Sequence, residues 1–331
     1  MTWLAFGLVT LVIVYAGSNL SRYGDLLAER TGLGRTWIGV ILVASTTSLP
    51  ELITGFTSTA IARLPDIAVG DVLGSCMFNL LILALLDVVG GRTPLSARAQ
   101  QGHVLTLGFG SLLMGLVGFA FLIGPITPTL AWVGVTSLVL VAVYLLAMRV
   151  VFVYERTRLA ADIEAVAEER APPGLSLRQV WLRYTVNAVV VVAAAIWLPY
   201  LGETIARETG LGQTFVGNSL IALSTSLPEL VTSVAAVRLG ATDLAFGNLF
   251  GSNLFNILIL ALDDVFYTPG PLLAAAQPAH LISVMAVVSM YAIVAIGLAY
   301  QARAKLTVMT WDSWGVVVVY LLSIGLLYVS H

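Results

Sequence analysis

The sequence predicts an all-α integral membrane protein: ten transmembrane helices arranged as two inverted five-helix repeats, with kinked or broken helices at a site near the membrane midplane. Three observations lead there. Of 331 residues, 59% are hydrophobic and only 10% are charged, with a mean hydropathy of +0.96, whereas soluble domains average about 25% charged. Apolar stretches of about 20 residues, enough to cross a bilayer as helices, recur ten times. Finally, ordered runs of polar residues inside those stretches occur twice.

The spans fall near 2–21, 36–61, 66–89, 102–124, 128–153, 179–201, 213–237, 243–265, 279–300 and 311–330. The opening run MTWLAFGLVTLVIVYAG has no basic n-region and no small-residue cleavage site, so it reads as a first span rather than a removed signal. Gly, Ser and Asn interrupt the third and eighth spans, which predicts local breaks there. The one strongly polar stretch, ERTRLAADIEAVAEERAPPG at 155–174, reads as a solvated connector with one helical turn or two, too short to fold alone. The chain therefore divides into a first repeat (1–153), a linker (154–178) and a second repeat (179–331).

With the N-terminus outside, 14 of the 16 Lys and Arg face the cytoplasm, leaving Arg63 and Arg207 outside. The positive-inside rule thus puts both termini outside and the linker in the cytoplasm. The missing targeting segment and the short loops point to a prokaryotic plasma membrane. The sequence has no basic face for nucleic acid, its net charge of −2 says little, and the single cysteine, Cys76, excludes an intramolecular disulfide. No cofactor and no obligate protein partner is expected beyond the lipid bilayer.

The duplication is explicit. TGLGRTWIG (31–39) returns as TGLGQTFVG (209–217), LVASTTSLPELIT (42–54) as LIALSTSLPELVT (220–232), and GSCMFNLLILALLD (74–87) as GSNLFNILILALDD (251–264). Chance similarity between apolar helices gives scattered Leu and Val, not aligned Thr, Ser, Pro, Glu and Asn. Five spans per half is an odd number, so the second half crosses the membrane in the opposite sense. Inverted repeats with broken helices build a site at the midplane between the halves.

A carboxylate in hydrocarbon costs several kcal/mol or so unless something compensates it, so two glutamates at matched places mark a site. In the second span Ala44, Thr47, Ser48 and Glu51 share one helical face; in the seventh, Ala222, Thr225, Ser226 and Glu229 do. Pro50 crowds the carbonyl of Thr46 and Pro228 that of Ser224, predicting a kink and freed oxygens at each. Ser75 with Asn79, and Ser252 with Asn256, are four apart and add further oxygens. The glycines before them, Gly70 and Gly74, Gly247 and Gly251, permit close helix approach. The ensemble is all oxygen, suited to a hard cation such as Ca2+ with its roughly 6–8 oxygen ligands; a Cys/His set for zinc or copper is missing. Asp71 reads as a cap near a helix start, Asp87, Asp263 and Asp264 as solvated membrane-exit ends, and Cys76 as a small packing residue.

At these residues the chain resembles the sodium/calcium exchanger family of the calcium/cation antiporter superfamily, whose paired alpha repeats the two TSLPE and two GSxxFN segments match. The resemblance extends over essentially the whole chain. It implies an antiporter working by alternating access, the first and sixth spans sliding on the core. It implies Glu51 and Glu229 as central ligands shared by Ca2+ and the counter-ion. Thr47, Thr225, Ser48, Ser226, Ser75, Ser252 and the carbonyls of Ala44 and Ala222 complete the ion sites, and Asn79 and Asn256 the central diamond. Departures accompany it. Many members have Asp where this chain has Asn256, leaving two carboxylates in the core. The first motif reads STTS rather than GTS, Cys76 replaces a common Asn, and the long regulatory loop of animal exchangers is missing.

The favoured reading is therefore Ca2+ extrusion in exchange for Na+. H+/Ca2+ antiport on the same site is the alternative, because two protons on two glutamates balance one Ca2+. A cation channel or a non-transporting ion-binding membrane protein fits the inverted repeat less well. An enzyme is excluded by the lack of HExxH or GxSxG signatures.

Overall fold

A computed structural model describes residues 1–30, 46–91, 93–97, 100, 102–162 and 176–330. The chain is almost wholly helical. In order come α1 (Thr2–Arg30), α2 (Leu49–Phe56) continued by a π-helical turn (Thr57–Ala62), α3 (Pro65–Val89), α4 (His103–Ile123) and α5 (Val135–Asp162). The second half has α6 (Leu177–Ala195), α7 (Leu198–Thr209), α8 (Gly212–Val216), a π-helical turn (Gly217–Ile221), α9 (Ala222–Arg238), α10 (Thr242–Phe266), the short α11 (Leu272–Ala275), α12 (His280–Tyr300) and α13 (Trp311–Val329). Nine helices among the described residues are long and apolar enough to span a membrane. The remaining expected span, 36–61, lies partly outside those residues.

The repeat in the sequence is a repeat in space. From α3 to α10, and from α4 to α12, both ends shift by 177 residues. Partly exposed acids lock the halves together in matched pairs. Asp66, in the first turn of α3, accepts from the Gln277 amide at 2.7 Å and meets His280 Nε2 at 3.2 Å. Asp243, in the first turn of α10, accepts from the Gln100 amide at 2.9 Å and meets His103 Nε2 at 3.1 Å. A carboxylate at a helix N-terminus also suits the helix dipole.

The far ends of α3 and α10 are pinned likewise, which corrects the expectation of solvated ends. Asp87 accepts from the amides of Leu95 at 2.9 Å and Thr310 at 2.7 Å, and pairs with Lys305 at 3.3 Å. Asp264 accepts from the amides of Leu272 at 2.6 Å and Gly134 at 2.9 Å. Both acids, and Asp263, are buried. The loops fold back over the helix ends, and their N–H groups need acceptors there. Asp264→Ala should therefore cost about 3 kcal/mol, two charge-assisted bonds being lost and two amides orphaned. Thermal unfolding in detergent should place Asp264→Asn between that variant and the parent.

Four further expectations are revised. α3 and α10 run unbroken through their Gly, Ser and Asn residues, because most of each helix is buried against protein. The helix also continues through Pro228; the irregularity in that span is instead the π turn before it. Pro50 sits in the first turn of α2, where no intrahelical N–H is required. The sixth span, expected over 179–201, is instead α6 and α7 with a break at Ile196–Trp197, where Pro199 withholds the N–H that the Ala195 carbonyl would need. Two boundaries also move. A hairpin, Thr129–Leu130 paired with Val133–Gly134, delays the fifth span, and α5 then runs on to Asp162 in the linker.

α3 and α10 form the centre, with Leu73, Met77, Phe250 and Leu254 in the main core alongside Met290 and Tyr291 of α12. α1 lies along α6 at the edge. Leu8 and Leu11 of α1, Leu145 of α5, Val189 of α6 and Leu322 of α13 are exposed, as lipid-facing positions should be.

Candidate ion-binding site

The two glutamates are fully buried, one on α2 and one on α9, and each is held by the other repeat. Ser226 Oγ donates to Glu51 Oε1 at 3.1 Å. Ser48 Oγ reaches Glu229 Oε1 at 3.4 Å, and Ser252 Oγ reaches it at 3.5 Å. Thr47 Oγ1 lies 3.3 Å from Ser252 Oγ, and Thr225 Oγ1 lies 3.4 Å from Ser75 Oγ. The pattern is two-fold symmetric. Threonine, serine and glutamate at i, i+1 and i+4 on one helix face meet their counterparts across the interface. Most of these contacts sit at the long end of the hydrogen-bond range, so they are weak and readily exchanged for an ion.

Close packing brings the helices to that distance. A Cβ on Gly70 would lie 2.9 Å from Gly217 Cα, and one on Gly74 would lie 2.4 Å from the Asn218 carbonyl. Ala222, whose carbonyl the Thr225 hydroxyl approaches at 3.2 Å, is the first residue after the π turn. Ala44 falls outside the described residues.

Asn79 and Asn256 are buried on α3 and α10 but not equivalent. Asn79 Nδ2 donates to Asn253 Oδ1 at 3.0 Å, and Asn253 Nδ2 donates to the Cys76 carbonyl at 3.3 Å. Asn253 therefore orients Asn79, a role that Cys76, its counterpart in the first repeat, cannot reciprocate. Neither amide atom of Asn256 has a partner. Each of these two glutamates and two asparagines thus has one oxygen buried without any hydrogen bond: Glu51 Oε2, Glu229 Oε2, Asn79 Oδ1 and Asn256 Oδ1. An unmade bond on a buried polar atom costs about 1–3 kcal/mol, more on a charged one. Two of these atoms come from each repeat. No group of three or more His, Cys, Asp or Glu side chains gathers for a metal among the described residues.

Asp71 is not the cap that its place in the sequence suggests. It lies well inside α3 and is fully buried; its Oδ1 accepts from the Thr225 hydroxyl at 2.9 Å. A signal existed, since Asp71, Ser75 and Asn79 are spaced by four and share a helix face. Glu51 interacts electrostatically with both Glu229 and Asp71. The core therefore holds a third carboxylate after all, in the first repeat instead of at position 256.

The family model described as sodium/calcium exchanger protein matches residues 1–153 and 180–329. The chain belongs to the sodium/calcium exchanger family. The family is one of membrane antiporters, not enzymes. Within it, the inner membrane protein YrbG of Escherichia coli (strain K12) is 31% identical over 265 residues, 78% of each chain. A structure of the sodium-calcium exchanger NCX_Mj superposes with a TM-score of 0.60 at 20% identity, covering 98% of this chain and 99% of that one. The H+/Ca2+ exchanger CAX superposes with a TM-score of 0.66 at 13% identity, covering 99% and 88%. Both structures share the two-repeat fold of this exchanger-family chain, and the fold is therefore common to Na+- and H+-named exchangers.

Proposed function

We propose that the chain is a secondary active antiporter that extrudes Ca2+ in exchange for Na+ by alternating access. The observation that carries this reading is the set of four unpartnered buried oxygens on two symmetry-related Glu–Asn pairs. Glu51, Glu229, Asn79 and Asn256 are the central ligands. Thr47, Thr225, Ser48, Ser226, Ser75 and Ser252, with the carbonyls of Ala44 and Ala222, coordinate ions on either side of them. One Ca2+ neutralises Glu51 and Glu229. Ca2+ and Na+ together would place excess positive charge in a low-dielectric site, so they compete, and competition at shared ligands is the coupling.

Alternating access would move α1 along a close contact with the core. Gly17 passes directly under the Pro228 ring, where a Cβ would come within 2.7 Å of Cγ. Thr10 Oγ1 to Ser224 Oγ, at 2.9 Å, is a side-chain bond that ties α1 to α9. The two repeats, 1–153 and 179–331, enclose the site, and both termini face outside with the linker 154–178 in the cytoplasm of a prokaryotic cell.

Proteoliposomes loaded with Na+ should take up 45Ca2+, and those loaded with choline at matched pH should not. Uptake that ignores Na+ and follows an imposed pH gradient would transfer the coupling to H+, with Glu51 and Glu229 carrying the protons.

A further inference from the structure

On the two central helices, α3 and α10, two buried acids break the symmetry of the halves. Position 71 corresponds to Asn248 and position 263 to Leu86, so each carboxylate stands where the other repeat is neutral. Both residues have zero exposure. Asp66, Asp87, Asp243 and Asp264 all accept from backbone amides, as described above. Asp263 has no partner on either oxygen, and Asp71 has none on Oδ2. Within a protein, uncompensated carboxylates at such positions are strongly unfavourable.

Their placement is one-sided. Asp71 lies one turn before Ser75, toward the start of α3. Asp263 lies near the end of α10, which runs antiparallel to α3 because the repeats are inverted. Its carboxylate covers Gly55, one turn beyond Glu51 on α2: a Cβ there would meet Oδ2 at 2.4 Å and Oδ1 at 2.6 Å. The two acids interact electrostatically. The hydroxyls of Thr54 and Thr57, on either side of Gly55, are also buried without partners. On the opposite side of the site, Asn248 donates to Thr232 and Ser233 at 3.3 Å, and Leu86 is in the apolar core.

We propose that Asp71 and Asp263 form a second cation station, for Ca2+, between the central site and the membrane face at the start of α3. The ligands are Asp71 Oδ2, the Asp263 carboxylate and neighbouring hydroxyls. The station rests on the reading of the chain as a Ca2+ exchanger. It makes the protein functionally asymmetric: Ca2+ arriving from that face is captured before it reaches Glu51 and Glu229, while on the other side of the site the matching positions are the neutral Asn248 and Leu86.

Equilibrium 45Ca2+ binding to purified protein in detergent tests the station apart from transport. Glu51→Gln/Glu229→Gln, which disables the central site, should still bind Ca2+, and adding Asp263→Asn should abolish that binding. In proteoliposomes, Asp263→Asn should raise the KM for Ca2+ by about tenfold at one face only, the loss expected for one charged ligand. Gly55→Ala retains the charge but displaces the Asp263 carboxylate, and should give the same one-sided rise even if Asp263→Asn folds poorly. Asp71 is the less clean handle because it also holds Thr225. Absence of Ca2+ binding by the double glutamine variant, or unchanged KM at both faces in Asp263→Asn and Gly55→Ala, overturns the station. Absence of Ca2+ flux in the parent protein overturns instead the exchanger reading.

Discussion

Glu51→Gln should abolish Ca2+ exchange, and Glu229→Gln should do the same. Each glutamate supplies half of the charge that a bound Ca2+ neutralises. Removing one member of a buried ionic set costs about 3–5 kcal/mol, which is a loss of roughly 100-fold or more in initial 45Ca2+ uptake. The two variants should fall by similar factors, because the serines hold the glutamates crosswise: Ser226 on Glu51 and Ser48 on Glu229. Glutamine is isosteric and can still accept from those serines, so the fold should survive. In ion-free detergent each variant should melt at or above the parent temperature, since a like-charge repulsion has been relieved. The rise in melting temperature that Ca2+ gives the parent should shrink to the part that the Asp71–Asp263 station supplies. Substantial exchange by either variant would remove that glutamate from the ligand set.

The second large effect is structural. Gly74→Leu should yield no monodisperse protein. A Cβ at Gly74 would stand 2.4 Å from the Asn218 carbonyl oxygen, 2.6 Å from Ala222 Cβ and 2.7 Å from Asn218 Cα. These are atoms of the π turn and of the start of α9, not the ends of flexible side chains, so α3 would have to separate from the seventh span. Gly74→Ala carries the smallest version of the clash, and overpacking of this kind costs about 1–3 kcal/mol or more. Gly115 on α4 provides the control: nothing lies within 4 Å of its Cβ position, and Gly115→Ala should express and melt like the parent. Fluorescence-detected size exclusion compares the three directly. A monodisperse Gly74→Leu would refute the close approach of α3 to the seventh span.

Both effects trace to features that stand out in the chain itself. The two TSLPE segments place Thr47, Ser48 and Glu51 on one face, and their twins on another, through helical periodicity alone. The 177-residue offset of the GSxxFN segments reappears as equal shifts at both ends of α3 and α10. The glycines at 70 and 74 announced tight packing, and the packing is there. Such features are local, or are repeated, and a linear sequence records both directly.

What only the tertiary structure decided is which partner each polar group finds. Asp71, Asp87, Asp263 and Asp264 are alike in sequence context, all acids within or at the ends of apolar helices. In the fold, Asp87 and Asp264 collect the amides of loops that turn back over them. Asp71 turns to Thr225, 154 residues away, and Asp263 faces a bare glycine on α2. Asn253 orients Asn79 from the opposite repeat, and Ser48 serves Glu229 rather than the glutamate three residues along its own chain. The sequence by itself determined the number of spans, the duplication and the face that carries the oxygens, because these follow from hydropathy and from the 3.6-residue turn. The burial and pairing of each acid belonged to the packed structure, because a hydrogen bond is settled by distance in space, and here the two halves bring together residues up to 246 positions apart.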